Sequence, residues 1–229
     1  MLKEVSMIEV RLIDKMGSDL TVVNAARVSF ANKHEEFNDK KDAKLISFLA
    51  KHGHWSPFAH CTMQFHIRAP IFVARQMVKH QVGLSWNEVS RRYVDSDVEF
   101  YEPEVWRGKA DDKKQGSSDD EIDINPKNNI VNDYQQVMSS AKWTYEELLR
   151  KGVAPEQARM VLPQSMMTEW YWSGTLYAFA RVCYLRLHET AQEETRTVAN
   201  FISQYARKEF PVCWKALMEE HERHGNDGN

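Results

Sequence analysis

The sequence predicts an α+β protein, helix-rich and with a small antiparallel sheet. Three observations carry that prediction. Two segments, 61–68 and 165–172, alternate apolar and polar residues with the period of a half-buried strand. Several longer segments repeat their apolar residues with helical period. No GxGxxG or Walker A pattern occurs, so a Rossmann or P-loop cofactor site is not expected. At 229 residues, with 42% apolar and 28% charged, the chain is long enough for one sizeable core and too hydrophobic to be disordered.

Residues 5–13 and 19–23 are short apolar or β-branched runs split by Asp14–Gly17, and they read as early strands. Leu45, Ile46, Phe48 and Leu49 give a helical stripe over 41–52, with Gly53 where a C-terminal glycine belongs. From Cys61 to Arg68, Cys61, Met63, Phe65 and Ile67 share one face of a strand. Pro70 then suits the first turn of a helix running to about His80. Residues 107–129 are almost devoid of apolar side chains and read as an exposed polar loop within a single domain spanning 1–229. A linker between two domains is the rival. Beyond it, 130–151 forms a helix ended by Gly152, and Pro155 opens a short helix ended by Pro163. Met166, Thr168, Trp170 and Trp172 share one face of a strand. Ser173 is placed to cap a helix from Gly174 to Leu187. Two more helices cover 190–208 and the stretch after Pro211.

Composition excludes several classes of function. With 30 basic and 33 acidic residues the net charge is −3, which gives no general attraction to nucleic acid or anionic lipid. Cys61, Cys183 and Cys213 are far apart and have no CxxC spacing, as expected for reduced thiols in a cytoplasmic setting. The first residues contain no apolar stretch of the signal-peptide kind, and no apolar run is long enough to span a membrane. His52, His54, His60 and His66 match no standard metal-ligand spacing, so no metal is expected.

The chemistry concentrates in Arg75–Tyr93. On a helix, Arg75 and Lys79 share a face, and Gln76 and His80 share the next. A Gly-containing turn leads to Ser85, Asn87, Glu88, Ser90, Arg91 and Arg92. Hydroxyls, amides and guanidinium forks are the groups a phosphate and a nucleobase edge require. A polar helix face followed by a polar loop is the plain alternative.

This run, Lys79-His80-Gln81 followed by Ser85-Trp-Asn87-Glu88-Val-Ser90-Arg91-Arg92-Tyr93, resembles the signature of the flavin-dependent thymidylate synthases (the ThyX family). Collinear stretches strengthen the resemblance: Ala25-Ala-Arg27-Val-Ser29, His54-Trp-Ser56-Pro57-Phe58, Ala158-Arg159 through Pro163, and Leu185-Arg186 to Ala191-Gln192-x-Glu194. Lys79 and Gln81 stand where the family carries Arg, and Arg181 and Thr190 also depart from its pattern.

The resemblance implies a ThyX-like fold and methylation of dUMP to dTMP. Methylenetetrahydrofolate would be the carbon donor, and FAD reduced by NADPH the hydride source, in a homotetramer whose sites combine several subunits. It implies Arg186 as the catalytic residue that polarises the uracil carbonyl. Gln76, Glu88, Ser90, Arg92 and Arg159 would join it in binding dUMP. Ser29, Ser56, Lys79, His80, Gln81, Asn87, Glu88 and Arg181 would contact FAD, and His54 would face folate and NADPH. Trp86 and Trp172 would suit stacking on the flavin, with plain core packing as the rival. For Arg186 the rival is an ion pair with Glu189 or Glu194. Ser90 has no surrounding nucleophile elbow, so binding rather than covalent attack is expected. The rival functions are a degenerate, non-catalytic relative and a nucleotide- or nucleic-acid-binding module.

Overall fold

The computed structural model describes residues 7–93, 98–110, 116–125 and 127–226. Its main sheet has four strands in the order β1 (Glu9–Met16), β2 (Thr62–Pro70), β6 (Met167–Thr175) and β3 (Leu84–Glu88). All neighbours are antiparallel. The central pair buries the residues that the alternation predicts. Met63, Phe65, Ile67 and Ala69 of β2 point inward with Trp170 and Trp172 of β6, each no more than 1% exposed. Register places Phe65 opposite Trp172 and Ile67 opposite Trp170. Such cross-strand pairs are where sheets gain most of their stability.

Helices cover the inner face. They are α1 (Asp19–Arg27), α2 (Lys41–Lys51), α3 (Ile71–Met77), α6 (Leu176–Arg186), α7 (Glu193–Glu209) and α8 (Pro211–Asn226). Phe179, Val198, Ile202 and Trp214 complete the main core, which draws on both sides of the polar 107–129 segment. A smaller cluster around Tyr145 lies where α4 (Ile130–Arg150) packs on α5 (Pro155–Ala158). Asp19 ties the ends of the fold together: its carboxylate accepts the Val212 and Cys213 N–H groups at 3.0 and 2.9 Å, capping α8.

Several sequence readings need correction. Residues 19–23 are the first turns of α1, not a strand. Thr21 Oγ1 accepts the Ser18 N–H at 3.0 Å, a local start signal that outweighs the β-branched valines. Residues 5 and 6 of the proposed first strand lie outside the described residues. The helix after Pro70 stops at Met77, and Lys79 and His80 occupy the turn beyond it. Leu84–Glu88 is an edge strand rather than a loop. Strand β6 continues through Ser173 and Gly174, so Thr175 caps α6 instead, accepting the Ala178 N–H at 3.1 Å. Trp172 is core, and Trp86 packs inward with its ring stacked 4.4 Å from that of Trp170. Finally, the polar segment contains a hairpin, β4 (Arg107–Lys109) and β5 (Ser117–Glu121); residues 111–115 and 126 of that segment lie outside the described residues.

The corner where β3 meets β6 has no room for a side chain. A Cβ on Gly174 would sit 2.6 Å from the Gly83 carbonyl oxygen and 2.4 Å from a Leu84 methyl. Gly83 itself has φ +75°, which favours glycine. Gly174→Ala is expected to destabilise the protein by about 1–3 kcal/mol, the usual cost of overpacking, read as a lowered thermal midpoint.

Candidate functional site

The predicted site residues fall into three groups. The first lies where α3 and α6 end side by side. Arg186, the last residue of α6, donates from Nε to His80 Nε2 at 2.9 Å and from Nη2 to the Gln76 carbonyl at 3.3 Å. The Gln76 amide in turn donates to Gln192 Oε1 at 2.7 Å. The alternative of an Arg186 ion pair with Glu189 or Glu194 is not what the structure shows, because Glu194 pairs with Arg107 at 2.9 Å. Burial, then the charges of Arg186 and Arg181, push the His80 imidazole down to about 4. His80 is therefore neutral at physiological pH and accepts at Nε2, which puts its proton on Nδ1. Burial also lowers the Arg186 guanidinium from its ordinary value, though it stays charged.

Beside this group, Lys79, His80, Gln81 and Arg181 line one 130 Å³ cavity whose apolar walls are Val82, Leu84, Ala178 and Leu185. Four of the residues expected at the flavin thus converge. Two cations, an amide and an apolar wall fit the chemistry of a dinucleotide. The cavity is small against the roughly 300–1,000 Å³ typical of ligand sites.

The second group gathers around Glu156. Arg92 Nε lies 3.9 Å from the Glu156 carboxylate, and Arg159 Nε donates to the Glu156 carbonyl at 3.3 Å. Ser90 Oγ accepts the Arg92 backbone N–H at 3.3 Å. Both guanidinium groups are exposed. Glu88 sits between the groups on β3, where it is held to the sheet. Its carboxylate accepts from Thr168 Oγ1 at 2.8 Å and from Trp86 Nε1 at 3.2 Å. Asn87, next on the strand, takes the opposite face, across from Tyr171.

The third group is elsewhere. Ser29 lies in the short turn after α1, and His54 and Ser56 in the segment leading to β2; all three are exposed. Arg27, in the same stretch as Ser29, is structural. Its Nη2 donates at 2.8 Å to Asp42, which is fully buried and also accepts the Asn38 N–H.

Sequence reasoning missed three partners. Gln192 was within a stretch that carried the family resemblance, and that was its signal. Thr168 and Glu156 had none, because each acts through a pairing only the fold creates. The cysteine thiols are all buried, and burial pushes Cys61 up to about 11, so no reactive thiolate is present. Among the described residues, no cluster of three or more His, Cys, Asp or Glu could hold a metal ion, and no helix is long and apolar enough to cross a membrane.

The His80 geometry predicts a measurable titration. The imidazole should lose its proton with a midpoint near pH 4, against 6.5 for an unperturbed histidine. Since the unfolded chain takes up that proton first, the stabilisation from neutral His80 is complete above pH 6.5 and is lost as pH falls toward 4. An imidazole NMR titration should show this; a midpoint near 6.5 would mean that His80 is neither buried nor held against Arg186 as described.

Comparison with known proteins agrees with the fold and with the order of the motifs. Residues 11–212 match the family model described as thymidylate synthase complementing protein. The flavin-dependent thymidylate synthase of Thermus thermophilus is 42% identical over 212 residues, covering 93% of this chain and 76% of that protein. The enzyme of the same name from Thermosipho africanus is 36% identical, covering 91% and 90%. Among solved structures, the UMP/dUMP methylase PolB of Streptomyces cacaoi, bound with 5-Br dUMP, superposes with a TM-score of 0.84. It is 32% identical, with 94% and 96% of the two chains covered. The chain thus belongs to the thymidylate synthase complementing protein family, that of the flavin-dependent thymidylate synthases.

Proposed function

We propose that this chain methylates dUMP to dTMP, taking the carbon from methylenetetrahydrofolate and the hydride from FAD reduced by NADPH. The observation that carries this reading is the position of Arg186. It is held by a neutral imidazole and a backbone carbonyl, beside a cavity lined by Lys79, Gln81 and Arg181. Neutral acceptors orient a guanidinium without cancelling its charge, so Arg186 can polarise a uracil carbonyl as charge builds there.

Ser90, Arg92 and Arg159 supply a half-buried hydroxyl and two exposed guanidinium groups suited to the phosphate dianion. Gln76 and Glu88 offer an amide and a carboxylate to the ribose and base. Lys79, His80, Gln81 and Arg181 would hold FAD, with Asn87, Glu88, Ser29 and Ser56 as further contacts and His54 on the folate and NADPH side. The flavin, when bound, supplies the hydride chemistry. The protein orients both rings, excludes water and stabilises the developing negative charge. Separation of these groups within one chain supports a site completed by other copies, as in a homotetramer. The test is Arg186→Ala. We expect the protein to keep its flavin spectrum while dTMP formation falls by about 10²–10³-fold, the scale of losing one oxyanion donor. Unchanged turnover would refute the role given to Arg186, and failure to rescue a thymidine auxotroph would favour a non-catalytic relative.

A second reading is that UMP is also methylated. It is favoured by the likeness to PolB bound with 5-Br UMP, at a TM-score of 0.81 and 30% identity. Parallel assays with UMP and dUMP decide it: product from dUMP alone removes the second reading.

A further inference from the structure

The polar hairpin is joined to the first group of site residues through one arginine. Arg107, at the start of β4, commits three donor nitrogens. Its Nε donates to Ser117 Oγ on β5 at 2.8 Å, Nη1 pairs with Glu193 at 2.6 Å, and Nη2 pairs with Glu194 at 2.9 Å. The Glu194 side chain is only 7% exposed, so this is a carboxylate that folding desolvates and must pair. Glu193 and Glu194 form the first turn of α7, and Gln192 immediately precedes it at the N-cap position, its side chain free of any capping bond to the helix. The same Gln192 receives the Gln76 side-chain amide, and the Gln76 carbonyl receives Arg186. Phe72, one helical turn before Gln76, lines a 260 Å³ cavity together with Arg107, Ser117 and Glu194.

We infer that Arg107 is a positioning residue for nucleotide binding: by clamping Glu193 and Glu194 it fixes the start of α7, and with it the Gln192–Gln76 pair. Arg107 itself touches no reacting atom. Only a fork with several nitrogens can hold two carboxylates and a hydroxyl together; a lysine ammonium keeps the charge and loses the geometry. The inference rests on the reading of Gln76 as a dUMP contact.

The test is a double-mutant cycle on the flavin-loaded protein, with dUMP affinity read from the change in flavin absorbance. Arg107→Ala and Gln192→Ala should each weaken dUMP binding by about tenfold, and the double variant should bind no worse than the weaker single one, since both act on one network. Arg107→Lys should remain folded and also bind dUMP more weakly than wild type, and it carries the test if Arg107→Ala does not fold. Wild-type dUMP affinity in Arg107→Lys, with or without a lower thermal midpoint, would leave Arg107 a purely structural residue and overturn the inference. So would independent losses multiplying to about a hundredfold in the double variant. If the wild-type protein itself binds no dUMP, the functional reading fails first and the inference falls with it.

Discussion

The antiparallel pairing of β2 with β6 is the constraint on which the other features depend. The two strands run nine residues in register, from Thr62 opposite Thr175 to Pro70 opposite Met167. Because they are antiparallel, their following helices start at opposite ends of the sheet. Helix α3 begins beside Pro70, whereas α6 begins beside Thr175 and runs back for 11 residues, roughly 16 Å at 1.5 Å per residue. That return brings Arg186 to His80 and Gln76. Its length matters as well as its direction, since one residue more or fewer would rotate the guanidinium by about 100° around the helix. Burial of Trp170 and Trp172 fixes the register, because a slip by one would turn both indoles to the outer face. The position of the arginine is thus set by hydrophobic burial two elements away.

Three part-buried arginines show how a chain of net charge −3 can present a cation selectively. Arg27 is matched by the buried Asp42, and Arg107 by Glu193 and Glu194. Each of these guanidinium groups is neutralised by carboxylates and does structural duty. Among the described residues Arg186 has only neutral acceptors, an imidazole lone pair and a carbonyl. An anion, or a carbonyl on which charge is developing, then meets a fixed positive group that has no competing carboxylate. His80 suits this role because burial, and then the charges of Arg186 and Arg181, keep it unprotonated; a charged imidazolium would repel Arg186 instead of holding it.

Much of the architecture was legible in the sequence because β2, β6 and α2 each bury one regular face, and the period of that face is written in the residue types. Elements whose structure depends on something remote were not legible. Strand β3 reads as a polar loop because its outward residues, Ser85 and Asn87, are polar, and two apolar residues, Leu84 and Trp86, mark its inward face. It is a strand because β6 lies beside it. The 107–129 segment reads as solvent-exposed because a contact that orders its hairpin, Arg107 with α7, spans more than 80 residues of sequence. For the site, residue types pointed to a nucleotide and the resemblance supplied roles. The grouping of those residues came from the fold alone: Arg92 comes within 3.9 Å of Glu156, in the segment that carries Arg159, because the chain after β3 approaches α5.

That grouping bears on how the chemistry can be organised. A nucleotide substrate presents its phosphate several ångströms from the carbon that reacts, so a phosphate site separate from the arginine proposed to polarise the base is what the proposed reaction needs. The exposure of Arg92 and Arg159, beside the half-buried Arg186, fits that division: a dianion can be received at a solvated surface, whereas charge developing on a ring is stabilised best where water is excluded. On one chain, however, Ser29, His54 and Ser56 stand apart from both groups on exposed turns. A small chain can reconcile a dispersed set of contacts with a closed site by placing a second copy over the first, so that turns exposed on one become walls for the other. A symmetric assembly would then do for the flavin what the β2–β6 register does for Arg186, bringing to one place residues that the sequence keeps apart.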